Sequence, residues 1–322
     1  MSLNALDEAR REAGQIAVTL CWGQWVGLGS AAVARGEARP RAIIDPEALV
    51  LLSLYVSHEE RRLQDMVAWW AQVGSKLTSL QRLKTVAKRF PEEAISQGLP
   101  LFAALATEAG DRRWRRAAQG PVPRWFRPGK GPDSLELVEP SALWPRLRAG
   151  FGVGAKADLL AFLLGLRGAW ASARIISIAT GYSKVSIRNA ASEMTLARLI
   201  RETDGRPAEY LAPPRPWGAL LDLHGVEQEP TTQHAMPEWR FWAQVFGFLA
   251  NVMALGRLSD TAVPPSDRVI ASRARDLMEG HAMAFKLNNI PVPVPEMFKG
   301  SSATNGLLET VQTVSAWSSD HL

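Results

Sequence analysis

The sequence predicts a mostly α protein in three parts, and three observations lead there. Apolar residues recur at three- and four-residue spacing along most of the chain. Proline and glycine gather most densely over 128–152, which marks a boundary. One short stretch, 199–212, carries the apolar–polar alternation and Asp-Gly turn of a β-hairpin. The expected parts are a helical domain over 1–130, a linker over 131–153, a central helical unit with a small hairpin over 154–215, and a helical domain over 216–322.

Composition bounds the rest. A chain of 322 residues, 47% hydrophobic and 21% charged, is globular and long enough for two or three domains. The net charge of +5 suits nucleic acid or an acidic partner without selecting either. A single cysteine, Cys21, excludes an intramolecular disulfide and a cysteine-built zinc site, and a reducing cytoplasmic location fits it. The opening MSLNALDEARREAG has acidic residues where a signal peptide carries cationic ones, so none is expected. The longest apolar run, Leu159 to Leu166, is too short for a membrane span. The 12 tryptophans read mainly as core anchors, with an aromatic effector pocket as the alternative.

In chain order, 1–36 reads as one or two helices around Trp22 and Trp25, interrupted by Gly23, Gly27 and Gly29. A loop follows at Arg35–Pro40. Asp45-Pro46-Glu47 is a helix start: cap, first-turn proline, and a carboxylate near the positive end of the dipole. The almost wholly apolar LVLLSLYV then belongs at the centre of a core. Ser57 begins the next helix, which Gly74 stops. Thr78 with Gln81 forms a capping-box pattern for a helix ending at Arg89 and Pro91. That helix is basic (Lys76, Arg82, Lys84, Lys88, Arg89) and reads as a solvated bundle face, with support against phosphate as the alternative. In 111–130, Arg112, Arg113, Arg115, Arg116, Arg124 and Arg127 alternate with Trp114, Trp125 and Phe126. They are candidate phosphate contacts, or a helix end with its aromatics docked on the core. The Gly150–Lys156 run lacks the strand and the Gly-Lys-Ser/Thr of a phosphate-binding loop.

The central unit is the most informative stretch. Ser172 stands before a short helix with Ile175, Ile176 and Ala179. Gly181 supplies a sharp turn, because glycine takes positive φ without penalty. Ser183 caps a second helix whose Ile187, Ala190, Ala191 and Met194 make one buried face. Asp204-Gly205 signals a two-residue hairpin, and Pro207 points to an edge strand. This order reads as the second helix, turn, recognition helix and wing of a winged helix-turn-helix.

At Gly181, Ser183, Ile187, Arg188, Ala190, Ala191, Met194, Leu199 and Ile200 the chain resembles the winged helix-turn-helix transcription regulators, the GntR-like ones most closely. The resemblance covers Gly154 to Pro214 and neither flank. Two positions depart from that pattern: Arg198 where glycine is usual, and Ser177 where alanine is usual. The resemblance implies a sequence-specific regulator of double-stranded DNA, a repressor and a homodimer, with the flanking helices as dimerisation or sensing domains. Arg188 would read guanine and Asn189 adenine; Tyr182, Ser183 and Lys184 would hold phosphates beside Ser186; Arg206 would lie on the backbone or in the minor groove. A small-molecule effector or a protein partner is left open. The competing reading is an adaptor or antitoxin-like partner that uses the same module to bind protein.

After the hairpin, Pro213–Pro216 reads as a rigid exit. A helix is expected from Pro237-Glu238 through Trp239, Trp242, Phe246 and Leu249, another capped by Ser266, then an extended Pro291–Pro295 and a final amphipathic stretch. No catalytic residue, cofactor or metal is expected. No two histidines are spaced as helical metal ligands, and neither a nucleophile elbow nor His-Glu-x-x-His occurs. A nucleic-acid enzyme built on the arginine segment ranks last for that reason.

Overall fold

The computed structural model describes residues 2–30, 40–128, 135, 137–223, 236–257, 266–291, 294–298 and 302–321. The loop expected at 35–39, the first part of the expected linker at 131–134, His224 and His234 lie outside the described residues.

The chain is mostly helical. The first half supplies α1 (Ser2–Gly27), α2 (Pro46–Val56), α3 (Arg62–Val73), α4 (Leu80–Ala87) and α5 (Glu92–Glu108). The C-terminal part supplies α11 (Trp242–Gly256), α12 (Asp267–Leu287) and α13 (Ala303–Ser319). These two segments, read from the sequence as separate domains, share one hydrophobic cluster, in which α1 lies against both α11 and α13. Between them lie α6 (Leu143–Phe151), α7 (Ala155–Gly165), β1 (Ala171–Ser172), α8 (Ala173–Thr180), α9 (Lys184–Leu196), β2 (Arg201–Glu202), β3 (Glu209–Leu211) and α10 (Pro214–Leu220). They form a second cluster, to which Ile43, Met236, Trp239 and Phe241 also belong. The architecture is thus a large helical lobe interrupted by a small one.

Local chemistry explains the elements. Asp45 caps α2 by accepting from the Ala48 amide at 3.0 Å, with Pro46 at the first helical position. Every residue of α2 is buried, so it forms the centre of the large lobe. Ten of the twelve tryptophans are buried, Trp125 and Trp170 being the exceptions. Most of the buried indole N–H groups find acceptors: Trp25 donates to Ser53, Trp70 to Thr78, Trp242 to the Ile43 carbonyl and Trp317 to the Asn288 carbonyl.

Several expectations are corrected. Helix α1 runs unbroken through Gly14 and Gly23, because its buried face packs on two long helices. Ser57 donates to the Leu54 carbonyl, and α3 starts only at Arg62. The cap of α4 is Ser79, which accepts from the Arg82 amide, while Thr78 is consumed by Trp70 and by the Gly74 carbonyl. The second half of the expected linker is α6, whose Leu143, Trp144, Leu147 and Arg148 are buried. Pro214 starts a helix instead of an extended exit, and Trp217 in it donates to the Leu199 carbonyl. Glu238 forms a parallel bridge with Ala42, so Trp239 precedes the helix that starts at Trp242 and packs in the other cluster.

The lobes meet around a buried ion network. Arg148 on α6 donates to both oxygens of Asp158 on α7, at 2.7 and 2.8 Å, and to Glu47 on α2 and the Leu77 carbonyl. Arg82 on α4 donates to Asp45 at 2.6 Å through both terminal nitrogens, and to Glu47 at 2.9 Å. Glu47 also accepts from the Ser79 amide at 2.6 Å. The Trp144 ring lies against both guanidiniums, 4.4 Å from Arg82 and 4.9 Å from Arg148, and its N–H donates to Asp158. Arg82 therefore leaves the solvated face on which the sequence reading had placed it.

Burial would push the Glu47 carboxyl up, but Arg148, Arg82 and the Ser79 amide outweigh it and hold the group below its ordinary value. A carboxyl lowered on folding contributes stability above its unfolded pKa, and this is lost as pH falls through the folded value. Glu47→Gln should lower stability at pH 7 by about 3–5 kcal/mol, since it leaves two buried guanidiniums underpaired. Urea unfolding from pH 7 downward should show the variant losing less below pH ~4 than the native chain does.

Candidate nucleic-acid interface

The small lobe is built on α7, whose LLAFLL segment is wholly buried. Helices α8 and α9 pack on it, and β1, β3 and β2 form a three-stranded antiparallel sheet in that order. Tyr210 on the central strand sits opposite Ala171 and Glu202. The connection from β2 to β3 is longer than the two-residue hairpin expected. Thr203 and Glu209 close it through the Thr203 amide, which donates to the Glu209 carbonyl, and the Glu209 amide, which donates to Thr203 Oγ1. Pro207 lies in this loop, and β3 is central because β1 takes its other edge.

The α8–α9 turn forms as the sequence indicates. Gly181 has φ +80°, in the left-handed region. Ser183 accepts from the Ser186 amide at 3.1 Å and shares a second bond with the Ser186 hydroxyl at 2.9 Å. Ser177 donates to the Tyr182 carbonyl at 2.6 Å, so the serine that departs from the family pattern latches the turn. The other departure is resolved at the far end of α9. Arg198 itself adopts φ +58°. Its amide donates to the Thr195 carbonyl and that of Leu199 to the Met194 carbonyl, a Schellman closure with arginine in the place of glycine.

On α9, Ile187, Ala190, Ala191 and Met194 are buried. Ser183, Lys184, Val185, Arg188 and Asn189 are exposed in its first turns, and Ser186 is half-buried. Arg206 is exposed in the β2–β3 loop, beside Asp204. Arg188 lies within electrostatic reach of Tyr210, whose hydroxyl is pushed up by burial first and by Glu202 second, against the pull of Arg188. Tyr182 is different. It packs, half-buried, against the small-lobe cluster, close to Ser79 at the start of α4. Burial first, then Asp158, pushes its hydroxyl up to about 12. Of the three residues expected to hold phosphates it is the least open, Ser183 and Lys184 being exposed.

The arginine segment is divided. Arg113 is held by Asp111 and the Ser75 carbonyl, and Arg127 pairs with Glu108 at 3.1 Å. Arg112, Arg115, Arg116 and Arg124 are exposed. Trp114 and Phe126 are buried, and Trp125 is 60% exposed. Sequence reasoning missed Val185, 63% exposed on the first turn of α9, and the exposed Arg174 and Arg201. An apolar residue off the buried period was the signal for Val185.

Among the described residues no group of three His, Cys, Asp or Glu is placed to hold a metal, and no helix is long and apolar enough to cross a membrane. Comparison of the chain with models of known families, with curated proteins and with solved structures gives no match.

The strained Arg198 yields a stability prediction. Arg198→Gly should raise stability by about 0.5–1 kcal/mol, because a left-handed residue costs arginine more than it costs glycine. A higher urea midpoint with unchanged slope is the expected reading; no gain would mean that the arginine side chain compensates its own strain.

Proposed function

We propose that the small lobe is a winged helix-turn-helix and that the protein is a sequence-specific regulator that binds double-stranded DNA. The observation that carries this reading is the first two turns of α9. A serine-capped, otherwise well-packed helix presents Lys184, Val185, Arg188 and Asn189 to solvent directly after a left-handed glycine turn. A helix entering the major groove reads bases with its N-terminal residues. In this role Arg188 donates twice to guanine, Asn189 pairs with adenine, and Val185 meets a thymine methyl. Ser183 and Lys184 hold phosphates, and Arg206 approaches the backbone or minor groove from the β2–β3 loop. Repression, a homodimer on a nearly palindromic site, and a dimerising or sensing role for the large lobe belong to the same proposal through the resemblance.

One observation favours a second reading. Leu196 at the end of α9 is 87% exposed, and with Val185 it would suit a protein partner. Salt-insensitive binding to a protein, without duplex affinity, would support it.

Fluorescence anisotropy tests the first reading, using the DNA upstream of the protein's own gene and a scrambled duplex at two salt concentrations. The upstream duplex should bind more tightly. Arg188→Ala should cost about 1–3 kcal/mol on it and relax specificity at one base position. Equal, weak binding to both duplexes would contradict sequence reading.

A further inference from the structure

The basic helix α4 lies outside the small lobe in sequence, yet the fold brings it to the α8–α9 turn. The Cβ position of Gly181 is 3.7 Å from Arg82 Cγ and 3.8 Å from Thr85 Cγ2. Tyr182 lies close to Ser79, the cap of α4. Behind this contact Arg82 is fixed to Asp45 and Glu47, and Arg148 joins Glu47 to Asp158 at the start of α7. The position of α4 against the α8–α9 turn is therefore set by buried charge-assisted bonds, which tolerate little displacement.

The solvent side of α4 is one-signed. Gln81, Lys84, Thr85 and Lys88 are exposed at three- and four-residue spacing, so they share a face. No acidic residue occurs between Asp65 and Glu92 in the chain. Lys84 and Lys88 border an open cleft of about 550 Å³ with Phe90, Glu92 and Ser96. Neither lysine has an ion pair among the described residues. Glu92 is exposed on the same cleft, while Asp45 and Glu47, on the inner side of the helix, are buried and already matched by Arg82 and Arg148.

We propose that Lys84 and Lys88 form a second DNA-backbone contact, continuous with the start of α9, that lengthens the footprint beyond what the small lobe alone covers. The occupant is the phosphate backbone of the same duplex: α4 offers two ammonium groups, which position a duplex without reading its sequence. The inference rests on the DNA-binding reading of the small lobe.

The test is duplex binding by the full chain, followed by anisotropy across a salt series on the upstream and scrambled duplexes. Lys84→Ala/Lys88→Ala should lower the slope of log affinity against log salt by about 1.8, the release expected for two phosphate contacts. Affinity for both duplexes should fall by a common factor of about ten or more at ~0.15 M salt. Lys84→Arg/Lys88→Arg should restore the slope. Arg268→Ala/Arg273→Ala, on the exposed side of α12, makes the same change in net charge and should leave the slope in place. Native-like slope and affinity in the alanine pair, with the unaltered protein still binding DNA, would overturn the α4 contact and leave the small lobe's role standing. An equal fall for the α12 pair would also overturn it, as a general charge effect. Failure of the unaltered protein to bind either duplex would remove both.

Discussion

The guanidinium of Arg148 lies between two carboxylates from different lobes, Glu47 on α2 and Asp158 on α7. All three groups are fully buried. Removing such charges from water costs several kcal/mol per ion, and mutual attraction returns it only with good geometry and full hydrogen bonding. That geometry is present: a fork to Asp158, a bond to Glu47, a bond to a carbonyl, and an indole ring beneath. An apolar cluster of equal size would hold the lobes together as firmly. What it would not do is fix their register, since apolar contact has no preferred direction. We read the contribution of this network as geometric.

Its consequence is that α4 lies against the α8–α9 turn at Gly181. Tyr182 packs on the small-lobe cluster close to Ser79, and Gly181 makes the turn beside it because its φ of +80° favours glycine. If α9 enters a groove, the cations on α4 stand beside the strand that enters with it. The large lobe then serves as more than a carrier for a dimer interface. Its N-terminal and C-terminal helices share one core, so the small lobe is held at both of its ends by the same body.

Much of the local structure was legible in the sequence. The Asp45-Pro46 start of α2, the Gly181 turn, the Ser183 cap and the buried face of α9 depend on residues within one or two helical turns of each other. The failures share one cause, which is tertiary context. Thr78 resembles a cap, but Trp70 claims its hydroxyl and Ser79 takes the role. Arg82 and Arg148 look like surface charges until partners 35 and 101 residues away are known. The proline-rich stretch before residue 153 hid α6, because the apolar Leu143, Trp144 and Leu147 are too few to show a period. In the candidate interface, Lys184, Arg188 and Asn189 were legible from helical spacing. The partial burial of Tyr182 was not legible, because Ser79, close to it in the fold, lies far upstream in the chain.

Hydrogen exchange of the full chain with and without its upstream duplex, at low salt, tests the central claim most directly. That claim is a single DNA-facing surface made from α9 and α4 across the lobe boundary. Amides at 79–89 and 183–190 should slow together when the duplex is added, while those at the exposed start of α12 keep their rates. Slowing confined to the arginine segment at 112–127, or no slowing in either α4 or α9, would contradict it.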